Sequence, residues 1–395
     1  MKDKSILVVY PHNFFARRMG IDSRYYELMS YFKSRNFTVD LFSLKNYESS
    51  WDNQDPKEED LINELFLYDF AGGKLSDRRN WQKIFHRLLK GKAASDIIYK
   101  KLPDYAFPGM KRKFKEILSR KQYDFILFSY VYWANLVEAI EAPPGRFILD
   151  LSDFTTLNLF DMCEGKIDTA ALLEEEIRRV GLFEKVMCIS AEEMWFFSQS
   201  VRNSDFYHIP FFMKKKKPAA GKKEFDILFV GSDNSFNKKG MDWFFEKVFP
   251  LLNPAVRMLI VGRIAAYVPQ KENVTCIPFV PDLNEIYNKA QISICPLLGG
   301  TGIKIKVIEA LSFELPVVTT SKGIVGFPAK LHNGCLVADD PEEFAAHISA
   351  LLADRKLYQV QSKMAGNYFM ENFAESVIHR RLDNMFFPQD KKVIK

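Results

Sequence analysis

No run of about 18 apolar residues occurs in this chain, so nothing in it is expected to span a bilayer, although 47% of its 395 residues are hydrophobic. The five cysteines (Cys163, Cys188, Cys276, Cys295 and Cys335) are dispersed with no CxxC spacing. That pattern argues against a disulfide framework or a zinc site. Cys188 and Cys295 fall inside apolar strand patterns and read as core residues. The six histidines show no metal-ligand spacing either, so no structural metal is expected. No GxGxxG follows the first strand of either half, which removes the dinucleotide fingerprint of a dehydrogenase. The opening apolar run, Ser5 to Tyr10, is six residues long before Pro11. It is too short for a signal peptide and reads as a first strand, so a cytoplasmic location is expected.

What the chain does have is enough length and apolar content for two cores. Short apolar runs at Ser5 to Tyr10, Phe37 to Leu44, Phe125 to Ser129, Arg146 to Leu151 and Lys185 to Ile189 alternate with helical patterns at about 21–34 and 169–182. Alternation of this kind predicts a parallel sheet covered on both faces. Residues 214–223, KKKKPAAGKK, have no apolar side chain larger than alanine and read as a linker. After it the βα alternation restarts at Phe225 to Gly231 and continues through 371. The expectation is α/β: two Rossmann-like doubly wound domains, 1–213 and 224–371, facing a central cleft. A last helix, within 372–395, would return to the first domain. Open α/β sheets bind ligands outside the carboxyl ends of their strands, which makes that cleft the expected site.

The most informative stretch runs from Pro296 to Gly326, PLLGGTGIKIKVIEALSFELPVVTTSKGIVG. Gly299, Gly300 and Gly302 allow close approach of the backbone to a ligand, and the amides opening a helix at Ile303 have no partners within it. Lys304 and Lys306 sit by the positive end of that helix, where a cation is disfavoured by roughly 0.3–1 kcal/mol. A bound anion would cancel that cost. The bland reading is an ordinary turn and helix with Lys306 and Glu309 as a solvated pair.

GTGIKIKVIEAL followed by ELPVVTTSKGIVGF resembles the donor-binding signature of the group 1 glycosyltransferases, family 4 and its relatives, which have the GT-B fold. The resemblance implies a nucleoside-diphosphate sugar as donor, with its diphosphate on Gly300, Thr301, Gly302, Ile303 and Lys304. No cofactor beyond that co-substrate is implied, and no metal if the helix end and lysine suffice. Glu309 matches the glutamate that hydrogen-bonds the ribose hydroxyls, a diol that a carboxylate suits because it can accept both. Another glutamate of the family lies eight residues earlier, where this chain has Thr301. That departure puts retention of anomeric configuration in doubt. Gly231, Ser232 and Lys239 match the family's first glycine turn beside the phosphates and sugar. Arg263 is a candidate diphosphate cation or an ordinary surface arginine. Val280, in Phe279-Val280-Pro281-Asp282, matches a backbone contact to the base, and Asp282 itself reads as a helix N-cap.

In the first domain, Asp150-Leu151-Ser152-Asp153 resembles a DxHD-like segment with serine for histidine. Asp153 would orient or deprotonate an acceptor hydroxyl, or stabilise charge at the anomeric carbon, or else cap a helix or turn. His12, with Arg17, occupies the loop where the family has a glycine pair, and is an alternative base. The acceptor expected is a lipid-linked sugar or a polysaccharide. Rival readings are a sugar-nucleotide 2-epimerase and a non-catalytic binder of nucleotide sugar or partner.

Net charge is only +5, but residues 74–121 carry 15 Lys or Arg against 4 Asp or Glu. The segment includes Trp81, Ile84, Phe85, Leu88 and Leu89 at helical spacing and the cluster Lys111 to Lys115. It reads either as a basic helical insertion packed on its own domain or as a surface for anionic lipid headgroups at the inner face of the membrane. Nucleic acid is not expected, since no recognised binding motif accompanies the charge.

Overall fold

The computed structural model describes residues 4–16, 20–45, 51, 60–69, 101–141, 146–163, 165–218, 223–280 and 282–388. The chain divides into two compact units, Met1–Ile209 and Pro210–Lys395.

The first unit is built on seven parallel strands: β1 (Ser5–Val9), β2 (Thr38–Lys45), β3 (Glu64–Asp69), β4 (Phe125–Ser129), β5 (Phe147–Leu151), β6 (Lys185–Cys188) and β7 (Asp205–His208). Their order is β3-β2-β1-β4-β5-β6-β7. Central strands read as unbroken apolar runs because both faces are covered: every residue of FILFS in β4 and of FILDL in β5 is buried. Helices of this unit are α1 (Gly20–Ser34), α2 (Pro108–Arg120), α3 (Thr155–Met162), α4 (Thr169–Val180) and α5 (Ala191–Ser200). Asp168 and Ser190 cap α4 and α5 by accepting from Ala171 and Glu193 amides.

Part of the basic segment proves to be an integral crossover. Helix α2 connects β3 to β4, and its Met110, Phe114 and Ile117 lie in the main core with Phe42 and Phe128. Cations on and after it are partly paired, Lys113 with Glu116 at 3.2 Å and Lys121 with the buried Asp40 at 2.6 Å. The apolar stripe at Trp81 to Leu89 lies outside the described residues.

The second unit carries β8 (Phe225–Val230), β9 (Met258–Val261), β10 (Val274–Ile277), β11 (Ala290–Cys295), β12 (Val317–Thr319) and β13 (Cys335–Val337), all parallel. The order is β10-β9-β8-β11-β12-β13. Its helices are α6 (Ser235–Trp243), α7 (Leu283–Lys289), α8 (Ile305–Ser312), α9 (Pro341–Ala353), α10 (Arg355–Asn372) and α11 (Glu375–Phe386). Asn234, Asp282, Asp340 and Asp354 cap α6, α7, α9 and α10, each through a side-chain oxygen. Beyond Trp243 the helix widens into a π turn over Phe244–Val248 and tightens at Pro250. Among the described residues no helix is long and apolar enough to cross a membrane.

Candidate functional site

In the second unit β8 and β11 are neighbours, and the chain leaves them toward opposite edges of the sheet, to β9 and to β12. This is the topological switch point, where the loops part and leave a crevice at the carboxyl ends. Two glycine turns flank it. Gly231 and Ser232 follow β8, and the loop 296–304 follows β11. The start of α6 joins them, since the Phe236 ring lies against Gly300.

The β11 loop differs from the sequence expectation in two respects. Helix α8 begins at Ile305, so Ile303 is a buried loop residue backed by Gly326, and Lys304 occupies the N-cap. Left-handed φ values of 92° and 71° at Gly300 and Gly302 turn three carbonyls inward. The Lys304 ammonium donates to all three, Gly300 O at 3.1 Å, Thr301 O at 2.9 Å and Gly302 O at 2.9 Å. Lys304 thus organises the loop from within. A lysine N-cap also offers the opening amides of α8 no side-chain acceptor; the Val307 and Ile308 amides turn to Lys304 O, and the amides of Ile305 and Lys306 lie nearest the helix's positive end.

Lys306 and Glu309 do not form the solvated pair of the bland reading. Lys306 turns inward, its Nζ 2.6 Å from Asn237 Oδ1 and 4.2 Å from the Phe229 ring centroid. Burial pushes its pKa down to about 8. Asn237 in turn donates from Nδ2 to Ser232 O at 2.8 Å. The side chain of Asn237 therefore ties the Gly231 turn to α8 across the switch point. Glu309 accepts from Tyr287 Oη at 2.9 Å, and Tyr287 stacks on Phe313 at 5.0 Å. Burial raises the Glu309 carboxyl above its ordinary range. Neither Asn237 nor Tyr287 was singled out from sequence. The sequence signal for Asn237 is its place in the run from Gly231 and Ser232 into α6.

The remaining candidates sit further out. Arg263 Nε is 2.9 Å from Asp233 Oδ1 in an exposed pair, a class of contact that contributes about 0–1 kcal/mol. Lys239 is exposed on α6 and Val280 half-buried, beside Phe279 at 80% exposure. Asp282 accepts from the Asn284 amide at 2.8 Å, as an N-cap should.

In the first unit β1 and β4 form the equivalent switch point; His12 follows β1 and Asp153 follows β5, both past the carboxyl ends of their strands. His12 is 7% exposed and edge-on to Tyr10. Burial holds its imidazole down at about 4, which makes it neutral at physiological pH and a weak base. Asp153, half-buried, lies between β5 and α3. The alternative reading of Asp153 as a helix cap is taken over by another residue: buried Glu176 on α4 accepts from the Thr155 amide at 2.7 Å and the Thr156 amide at 2.8 Å. Asp150 forms a bidentate pair with Arg24, at 3.0 and 2.7 Å, and both are within 2% of full burial. Arg17 lies outside the described residues. Among the described residues no three His, Cys, Asp or Glu side chains group as metal ligands.

Residues 224–354 match the family model described as glycosyl transferases group 1. An uncharacterized 44.6 kDa protein in the cps region of Klebsiella pneumoniae is 29% identical over 184 residues, 42% of this chain and 46% of that protein. The chain therefore spans about half the length of the curated relative it matches. Among solved structures, sucrose-phosphate synthase from Thermosynechococcus elongatus superposes with a TM-score of 0.70 at 16% identity, over 97% of this chain and 98% of that one. Anabaena HepE, solved with UDP and glucose, gives 0.63 at 12% identity over 96% and 98%. At these identities the likeness establishes the fold, which is that of the GT-B glycosyltransferases.

Proposed function

We infer, from the group 1 glycosyltransferase match of residues 224–354 and the GT-B fold, that this chain moves a sugar from a nucleoside-diphosphate sugar to a hydroxyl acceptor. The observation that carries the reading is the pair of glycine turns at the β8/β11 switch point, cross-tied by Asn237 and Lys306 and stiffened by Lys304. A diphosphate there meets opening amides of α8, with the charges of Lys304 and Lys306 behind them. Charge growing on the leaving diphosphate is stabilised by donors fixed in advance, which avoids reorganisation during transfer. With that much positive charge the reaction needs no metal. Glu309, steadied by Tyr287, takes the ribose hydroxyls. On the acceptor side Asp153 orients the attacking hydroxyl or accepts its proton, a role in which neutral His12 is the poorer base. The acceptor is a saccharide, and the cps-region relative favours polysaccharide synthesis. If that saccharide is lipid-linked, sedimentation with phosphatidylglycerol vesicles will retain the chain.

Thermal shift against UDP, GDP, ADP, TDP and CMP tests the donor site. A nucleotide at one hundred times its dissociation constant stabilises the fold by about 2.7 kcal/mol. One diphosphate, with UDP the first choice after the HepE complex, should raise the melting temperature, and Lys304→Ala should lose most of the rise. No shift with any of them, or an equal shift in the variant, refutes a diphosphate site on this loop. Product analysis then sorts the chemistry. Nucleoside diphosphate released only with an acceptor marks transfer, and an altered sugar on intact nucleotide marks an epimerase.

Lys306 adds a pH signature. With its pKa at about 8 the ammonium is half-neutralised near that pH, whereas a bound diphosphate favours the charged form and raises the value. Binding is therefore tight below pH 8 and weakens as pH rises through it, with proton uptake on binding at pH 8.5. Calorimetry in buffers of different ionisation enthalpy measures that uptake, and Lys306→Met should abolish it.

A further inference from the structure

Tyr130 directly follows β4 at the first unit's switch point in a conformation that side chains avoid. Its φ of 59° and ψ of 152° lie in territory open essentially to glycine, and holding a side chain there costs stability. The backbone is pinned on both sides. The Tyr130 amide donates to Asp150 O at 3.1 Å, and the following Val131 and Trp133 are fully buried. The side chain gains a defined setting from this. Its ring stacks on Tyr132 with centroids 5.4 Å apart and planes 13° from parallel, and both tyrosines are half-buried rather than sealed in the core. Asp153 is the carboxylate that acts most strongly on both phenols. Burial, the larger cause, and this carboxylate keep both phenols protonated, so they stay hydrogen-bond donors.

We propose that Tyr130, Tyr132 and Asp153 form a platform for a pyranose ring. An aromatic face carries negative quadrupole charge and attracts the weakly positive C–H groups on the apolar face of a sugar. A neighbouring carboxylate accepts from the ring hydroxyls, and such charge-assisted bonds are the stronger kind. Rings alone would suit many flat ligands. Rings beside a carboxylate and two phenol donors suit a flat ligand rimmed with hydroxyls. The choice of a sugar among such ligands rests on the glycosyltransferase reading. A strained tyrosine is also the wrong residue for packing alone, since glycine would relieve the backbone there and the following residues already fill the core.

The test uses the full chain and the methyl glycosides of glucose, galactose, mannose and N-acetylglucosamine in saturation-transfer NMR. Wild type should saturate ring C–H protons of at least one of them. Tyr130→Gly and Tyr132→Ala should bind about tenfold more weakly, the loss that roughly 1.4 kcal/mol represents. Tyr130→Gly should melt above Tyr130→Ala, because only glycine relieves the backbone. The shift produced by UDP should be the same in all these variants, so failure here is separable from failure of the donor site. Displacement of the glycoside by UDP-glucose but not by UDP assigns the platform to the donor's sugar, and persistence in both assigns it to the acceptor. No glycoside signal in wild type, or a signal unchanged in Tyr130→Gly, overturns the proposal.

Discussion

Asp150→Ala should destabilise the first unit by about 3–5 kcal/mol, because it strands the Arg24 guanidinium in a site that water does not reach. The pair is bidentate and fully enclosed between α1 and β5, with Ser152 Oγ and Tyr25 close by. Removing one partner leaves an uncompensated charge, whereas removing both leaves only a volume to fill. Arg24→Met combined with Asp150→Leu should therefore recover most of the loss, a non-additivity expected of two groups in direct contact. Urea unfolding followed by the near-UV signal of the first unit's tyrosines measures both variants. A cost under about 1 kcal/mol for Asp150→Ala would mean that the guanidinium reaches solvent. Asp150 also accepts the Tyr130 amide through its backbone carbonyl, so loss of the pair should disturb the sugar platform as well.

Gly262→Ala is the second severe change. Gly262 has φ of 102°, and a Cβ placed on it would fall 2.3 Å from Gly231 O, a backbone atom of the neighbouring turn. With ψ at 179° this is territory open essentially to glycine, where another residue costs of order 1–3 kcal/mol, and overpacking adds about 1–3 kcal/mol. The sum threatens the second unit's stability, and relief can come only by pushing the Gly231 turn aside. Two outcomes should therefore appear together: a melting temperature lowered by several degrees, and a UDP shift that is lost or much reduced. If the variant melts lower but binds UDP normally, the Gly231 turn does not contribute to the donor site.

The legibility of this chain differs by level. Fold class was readable because parallel strands buried on both faces leave continuous apolar runs, as in FILFS of β4. The edge strands β3 and β7 were not read, since ELFLYD and DFYH are part-exposed and carry polar ends. Helix α2 reads as part of an insertion because lysines dominate its local composition. Its three buried apolar residues are the real structural signal. At the site, glycine turns announced themselves, but the ties between them did not. Asn237 meets Lys306 across 69 positions and Glu176 caps α3 from another helix. Such side-chain contacts follow from tertiary packing, which leaves no periodic trace. Lys304 was legible as a cation beside phosphate-binding amides, yet its grip on three carbonyls depends on left-handed turns at Gly300 and Gly302.

The place of β1 in the first sheet has a consequence for how the chain is made. Residues 5–9 pair on one side with residues 38–42 and on the other with residues around 125–128. The Ser5 amide also waits for the Asp124 carboxylate, 119 positions later. During synthesis the first strand therefore keeps an open edge until β4 has emerged, and loop closure of that span must come before its contacts stabilise anything. An apolar strand with an unsatisfied edge is the kind of segment that holdase chaperones cover and that aggregates when they are saturated. Lower expression temperature, which reduces the load on those chaperones, should accordingly raise the soluble yield of this chain.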